Sequence, residues 1–233
     1  MRRTASILFS ILISVCIPAL ISCDDDKDTV ETAFSGFMTG YTDSNGNTTL
    51  LKDDFGTIYK VNRRVDDFDY PNSFYRAVAS ITLQNDSSAR IRQIVQTLSY
   101  IDIKKKKDEA WIVLVQPSLS YKAPLDSAIP DSMRIKDPVH IESIYIGGGY
   151  VNIHLNVKVA KEDTQHNLFY ARSNRTDRLE FKIYHNAYGD KPVYTKHAYI
   201  SIPLSGYSLS KNDTVFLSCK GYEEDYEYKL VYK

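Results

Sequence analysis

What this sequence lacks narrows it first. No apolar run reaches the roughly 20 uninterrupted residues that a spanning helix needs. The longest, Ile7–Ile21, is broken by Ser10, Ser14 and Pro18. Charge of one sign is not in excess, since 29 basic residues meet 29 acidic ones. Nucleic-acid binding relies on a basic field against the phosphates, so that class loses its main support. The one basic run, Lys104–Lys107, meets Asp108 and Glu109 at once and reads as a solvated hairpin tip. None of the five histidines (His140, His154, His166, His185, His197) stands three to five residues from another or beside a cysteine pair, so zinc-ligand spacing is absent. There is no G-x-S-x-G for a nucleophile elbow. Gly147–Gly149 follows a strand pattern but opens another strand, not the helix that would cradle a phosphate. Carboxylates are adjacent at Asp53/Asp54, Asp66/Asp67 and Glu223-Glu224-Asp225. Any two could meet in space as acid and base, yet turns attract aspartate in any case. We therefore expect a non-enzymatic protein with no catalytic residue, no metal ligand, no cofactor and no nucleic-acid partner.

What is present begins with an address. Arg2 and Arg3 precede the apolar run, and Cys23 follows it, the pattern of a secretory signal peptide over residues 1–22. Leu20-Ile21-Ser22-Cys23 resembles the lipobox of bacterial lipoproteins, in which the cut falls before the cysteine and its thiol carries a diacylglycerol. Two or three acyl chains on one residue hold a protein firmly on a membrane. Cys16 is then removed and Cys23 lipidated, which leaves Cys219 without an internal disulfide partner. It shares a parity with Val215 and Leu217 and reads as a small buried residue. Residues 23–32 form an acidic tether. Asp24, Asp25 and Asp26 within it resemble the surface-export signal of lipoproteins from the Bacteroides group, which implies the outer membrane and its exterior face.

Alternation with period two dominates the rest. In residues 33–118, strand candidates cover Ala33–Tyr41, Thr48–Leu51, Thr57–Val61, Phe74–Leu83 and Trp111–Val115. Asn45-Gly46 and Asp53-Asp54-Phe55-Gly56 supply turns between them. Ala89–Ile103 fits a helical stripe and a strand parity alike, and the punctuation around it favours strand. This count suits a small barrel of OB type. Residues 119–136 read as an interdomain linker, since Pro117, Pro124, Pro130 and Pro138 crowd there. Residues 137–233 are strand-rich again. Their spine is two alternating runs joined by Gly147-Gly148-Gly149, a run suited to a tight reversal. After it Val151, Ile153, Leu155, Val157 and Val159 share one face and Asn152, His154, Asn156 and Lys158 the other, as in a half-buried strand. The polar stretch Lys161–Arg178 reads as a mobile loop crossing between sheets, and Tyr207–Ser210 as a short extra piece. About seven strands at this spacing point to an antiparallel sandwich.

Several of these pieces together resemble the NigD-like lipoproteins of the Bacteroides group. They are the lipobox with its aspartates, Asp53-Asp54-Phe55-Gly56, the proline-rich linker, Ile141–Val159, and Phe181-Lys182-Ile183-Tyr184-His185-Asn186-Ala187-Tyr188. The resemblance implies an all-β protein, an N-terminal OB-like barrel followed by a C-terminal β-sandwich, with a presumed role in bacteriocin immunity. It transfers no site residue. The expected partners are the membrane, through Cys23, and an unknown extracellular protein or glycan. Tyrosine is the better lead to the latter, with 18 copies against 9 Phe and 1 Trp. Tyr184, Tyr188, Tyr194 and Tyr199 are candidate ligand contacts, because exposed aromatic faces stack on sugars and proteins alike. The alternative is that neighbouring strands half-cover them. His185 is expected to cap the turn at Asn186. Thr29, Ser127, Ser132 and Thr214, each after an aspartate and before an apolar residue, resemble the O-glycosylation motif of exported proteins of the same group.

Overall fold

Local turn chemistry sets the register of the first strands. Asp43 Oδ1 accepts the backbone N–H groups of Asn45 and Asn47 at 2.8 and 2.9 Å, and Gly46 takes φ 78°. Ten residues on the device repeats: Asp53 Oδ1 accepts from Phe55 and Thr57 at 3.0 and 2.8 Å, with Gly56 at φ 96°. Such aspartate-closed turns hold the chain in reversals that most side chains resist. The computed structural model describes residues 33–64, 71–85, 88–98, 100–106, 109–115, 122–161, 164 and 166–233. The expected signal peptide, Cys23, Asp24–Asp26 and Thr29 lie outside the described residues.

The two turns join β1 (Ala33–Thr42), β2 (Asn47–Asp53) and β3 (Ile58–Arg64). With β4 (Phe74–Asn85) and β5 (Ser88–Leu98) they close a barrel in the order β1-β2-β3-β5-β4. β3 and β5 pair in parallel, through Lys60 and Ser88, and β4 returns antiparallel to β1. This is the small OB-like barrel expected, closed by five strands. Alternation sends Met38, Leu51, Tyr59, Ala79 and Ile81 inward. The described residues of the ambiguous stretch 89–103 are strand, in β5 and in β6 (Tyr100–Lys106), and β6 pairs with β7 (Glu109–Val115) in a hairpin with Lys106 opposite Glu109.

The second half builds two facing sheets. β8 (His140–Gly147), β9 (Tyr150–Val159) and β12 (Tyr194–Pro203) form one, with β9 in the middle. β10 (Asn167–Arg172), β11 (Leu179–Asn186), β13 (Thr214–Lys220) and β14 (Asp225–Val231) form the other. Val151, Ile153, Leu155, Phe181, Ile202, Val215 and Leu217 fill the space between them. Each such side chain stabilises the fold by about 1.5–3 kcal/mol relative to exposure. Cys219 lies among them, its thiol pushed up to about 11 by burial and the nearby Asp225 carboxylate, so it is inert as a nucleophile.

Four expectations need correction. The sandwich is not wholly antiparallel, because β11 and β13 pair in parallel. Lys161–Arg178 is not simply a crossing loop: it contains β10, whose Phe169, Tyr170 and Ala171 are buried amid polar neighbours. Trp111–Val115, counted among the barrel strands, lies outside the closed barrel and pairs with β6. The polar face of β9 is largely covered rather than solvated, since Asn152 is 0% and Asn156 8% exposed, and only Lys158 of the four is exposed. As for the proline-rich stretch, its described part packs on the sandwich. It makes two 3-10 turns (Asp126–Ala128, Asp131–Met133) and bridges at Leu125/Arg172 and Lys136/His185. Ile129, 1% exposed, sits with Phe169, Ala171 and Tyr184 on the outer face of β10 and β11.

The barrel covers the Asn152 end of the polar face of β9. Outward parity on β1 and β4 brings Phe37, Thr39, Arg76 and Val78 to the sandwich. Arg76 is 1% exposed and extends across the seam. Its Nε donates to Ser201 Oγ at 3.1 Å, one Nη to Thr39 Oγ1 at 3.1 Å, and the other to Asp54 Oδ1 and to Asn152 Oδ1 at 2.9 Å. Tyr150 lies under the guanidinium, 4.5 Å to the ring centroid. Asp54, its side chain 2% exposed, also accepts from Tyr145 O–H at 2.7 Å and Asn152 Nδ2 at 2.9 Å. The glycine reversal meets the same carboxylate. Gly148 and Gly149 take φ 61° and 87°, the two-residue hairpin with both central residues at positive φ. A Cβ on Gly148 would stand 2.4 Å from Asp54 Oδ1, whereas one on Gly149 would meet nothing within 4 Å.

This contrast orders two variants. Gly149→Ala is expected to cost only the left-handed backbone strain, about 1–2 kcal/mol. Gly148→Ala adds a collision with a carboxylate held by three donors, about 1–3 kcal/mol more. Urea denaturation of both checks the order, and equal losses would refute the contact. Arg76→Met leaves Asp54 buried without its cation and is expected to cost about 3–5 kcal/mol. The double variant Arg76→Met/Asp54→Leu should recover part of that loss in the same measurement.

Candidate functional site

Beside the seam lies a cleft of about 480 Å³. β1 supplies its floor through Gly36, Phe37 and Met38, β3 contributes Tyr59, and Tyr145 of β8 closes it from the sandwich side. Phe55, lifted by the aspartate-closed turn between β2 and β3, stands at the rim and is 92% exposed. Beside the apolar cleft lining its ring enlarges one contiguous apolar surface, the kind that marks a site for a partner. Gly36 is the open point of the floor, since a Cβ there would meet nothing within 4 Å.

The carboxylates and phenols of this cleft are already engaged. Asp53 Oδ1 is bound by the turn, and its Oδ2 accepts from Tyr59 O–H at 3.3 Å. Asp54 is held by Arg76, Tyr145 and Asn152. Burial, with the Asp54 carboxylate beside it, pushes the Tyr145 phenol well up and keeps it a neutral donor. A general acid or base needs a group near its working pH and free to move a proton. These carboxylates and phenols are instead fixed partners of one another. The cleft suits an apolar or aromatic side chain.

The four tyrosines singled out by sequence do not form one surface. Tyr184 is corrected outright: it is 1% exposed, stacked on Phe169 with centroids 5.2 Å apart, and donates to Asp126. The strap carrying Ile129 covers it, so it contacts no ligand. Burial opposes ionisation of Asp126, but the bonds from Lys182 and Tyr184 together hold its carboxyl below the usual range. Tyr199 is half-buried in the seam, stacked on His154 at 4.6 Å and edge-on to Phe37 at 5.9 Å. Tyr188 and Tyr194, 64% and 58% exposed, flank the β11–β12 connection. Among the serine and threonine candidates, Ser127 and Ser132 are exposed in the 3-10 turns, while Thr214 is half-buried at the start of β13.

Sequence reasoning missed the cleft residues Gly36, Phe37, Phe55, Tyr59 and Tyr145. One signal was readable, a phenylalanine inside a turn of aspartates and glycine. It missed two histidine pairs as well. His154 Nε2 and His197 Nδ1 stand 3.0 Å apart, and His166 Nδ1 and His185 Nε2 stand 2.9 Å apart. His185 caps no turn: it is 2% exposed, with burial and the neighbouring His166 pushing its pKa down. Among the described residues no three His, Cys, Asp or Glu side chains converge on one point.

Residues 123–232 match the family model described as the NigD-like C-terminal beta sandwich domain. The boundary falls inside the strap, in keeping with its packing on the second module. Among solved structures, the chain is similar to a NigD-like immunity protein from Bacteroides caccae, at 21% identity and TM-score 0.60, over 86% of this chain and 97% of that one. A putative toxin related protein from Parabacteroides distasonis aligns at 19% identity and TM-score 0.60, over 87% and 94%. A protein of unknown function from Bacteroides vulgatus aligns at 12% identity and TM-score 0.59, over 87% and 92%. No curated protein sequence matches. At these identities the structures establish a shared fold spanning barrel and sandwich. Residues 123–232 thus carry a NigD-like C-terminal sandwich domain.

Proposed function

We propose that this protein is a non-enzymatic binding protein, held by a lipid on Cys23 at the outer membrane and facing the exterior, that receives an apolar or aromatic side chain of an extracellular protein in the cleft beside the seam. The observation that carries this reading is the chemistry of the cleft: aromatic walls and an exposed Phe55, with Asp53 and Asp54 already bound. A sugar would find few unengaged polar partners there, whereas an aromatic anchor gains from burial without needing any. The description of a structural relative as an immunity protein, and of another as toxin related, supports a bacteriocin as the first partner to test. In this reading Asp24–Asp26 direct export, and Ser127 and Ser132 are the exposed glycan acceptors. A second reading, glycan binding, draws on the exposed faces of Tyr188 and Tyr194.

A strain lacking the gene is expected to become sensitive to a bacteriocin made by its relatives, and the wild-type gene to restore survival. Gly36→Trp starts from a point where a Cβ meets nothing within 4 Å and directs an indole into the cleft, so it should keep the folded melting transition and abolish protection. Cys23→Ala should release the protein from the envelope and also abolish it. Unchanged sensitivity of the deletion strain would count against immunity, and full protection by Gly36→Trp against the cleft. Retardation in polysaccharide gels, lost in Tyr188→Ala/Tyr194→Ala, would favour the glycan reading instead.

A further inference from the structure

The sheet of β10, β11 and β13 ends at β14, and among the described residues no strand pairs with the far edge of β14. Two other outer strands are guarded against pairing: β8 is interrupted by a bulge between Ile141 and Ser143, and the strap bridges to β10 at Arg172. β14 pairs with β13 without a break from Asp225 to Val231. The bonds at its two ends fix which way its peptide groups face. Tyr232 N–H donates to the Asp213 carbonyl at 2.8 Å, its own carbonyl accepts from Asn212 N–H at 2.7 Å, and the Glu224 carbonyl accepts from Gly221 N–H at 2.9 Å. All three point to the β13 side. Successive residues of a strand turn their peptide groups to opposite edges, so Tyr226, Tyr228 and Leu230 bond to β13 as well. Asp225, Glu227, Lys229 and Val231 turn theirs to the far edge.

Charges on an edge ordinarily block pairing, but these complement one another. Asp225, Glu227, Lys229 and Val231 are exposed on the outer face, while Tyr226, Tyr228, Leu230 and Tyr232 are only partly covered by the sandwich core. Laid antiparallel beside a second β14, with Tyr228 opposite Tyr228, the strand brings Glu227 opposite Lys229 and Asp225 opposite Val231, each twice by symmetry. In this register every outward-turned residue faces another, so each pair exchanges two backbone bonds. Tyr228 falls at the non-bonded position, where facing side chains come closest. The neighbouring symmetric registers fail. A shift of two residues sets Glu227 against Glu227 one way and Lys229 against Lys229 the other, and like charges directly opposite destabilise a ladder. Glu227 is already held in its charged form. Arg178 donates to its Oε2 at 2.7 Å, which keeps the carboxyl below its usual range and leaves Oε1 for a lysine.

We propose that β14 is a self-pairing edge, at which a second copy of this chain adds in antiparallel register to make one continuous sheet across both copies. Charge complementarity selects that occupant, because the strand read backwards supplies the charges its own edge calls for. Full-length protein in mild detergent, free of any C-terminal tag, provides the test, with sedimentation equilibrium as the readout. The wild type should dimerise between micromolar and millimolar concentration. Glu227→Lys and Lys229→Glu should each weaken the dimer about tenfold or more, since each sets like charges opposite at both symmetric positions. Mixed together, the two variants should dimerise again, because each brings the charge the other lacks. Val231→Pro keeps every charge but deletes an outward N–H, a change that an edge strand tolerates, and it should weaken the dimer too. Thermal melting checks that each variant is folded, and the wild-type measurement stands without them. A wild type that stays monomeric throughout that range, a dimer indifferent to either charge reversal, or folded variants that stay monomeric when mixed would overturn the pairing. The first outcome would leave the edge to an unlike strand.

Discussion

Everything in the arrangement of the two modules turns on one buried ion pair, Arg76 with Asp54. Taken alone such a pair is weak support for stability, because two desolvated charges attract only about as much as they lose in leaving water. Its effect here is orientation. The guanidinium donates to Ser201, Thr39, Asp54 and Asn152 and rests over Tyr150. Those partners come from β12, β1, the β2–β3 turn and β9, so a slide of the barrel along the sandwich would strand several buried polar groups together. Each stranded group costs about 1–3 kcal/mol. Only one docking geometry satisfies them all.

That constraint explains features that are puzzling one at a time. Gly148 lies against Asp54 Oδ1, so the glycine run serves a close approach as well as a hairpin. The short aspartate turn that bears Asp54 also bears Phe55, so the geometry that secures the carboxylate places an aromatic ring at the rim of the cleft. The cleft is thus preformed by the seam rather than assembled on binding. A binding surface that is already ordered avoids the loss of side-chain and loop freedom that weakens flexible ones.

The strands and their turns were legible in the sequence because both rest on local physics: period-two alternation, aspartates that close turns, and glycines at positive φ. The barrel followed from counting them. What covers a face was not legible. The Asn152-His154-Asn156-Lys158 face looked solvated because it is polar, yet amides and imidazoles can be buried when partners await them, and the partner, Arg76, is 76 residues away. Lys158, the one residue of the four unable to shed its charge cheaply, is the one left exposed. β10 was hidden because only its middle, Phe169–Ala171, is buried on both sides, within a stretch otherwise polar. Tyr184 carried a surface-facing parity, and the strap that covers it is too irregular to announce itself by periodicity. The His166–His185 pair was invisible for the same reason as Arg76: spacing rules look three to five residues along the chain, and these side chains are 19 apart.

A polar seam has a further consequence. Interfaces between domains of one chain resemble transient protein–protein interfaces more than cores, and this one is lined by asparagine, serine, threonine and tyrosine around a single charge pair. Among the described residues the apolar part of the seam is small, Phe37 and Val78 against Tyr145 and Tyr199, which favours collapse of each module without sticking to other chains. The order this implies is collapse within each module first and registration across the seam afterwards. In that order Arg76 and Asp54 find each other late, between surfaces already formed. The pair selects among ways of joining two finished pieces rather than driving either to fold. The cleft beside it is built by the barrel, and the join adds one wall to it, Tyr145.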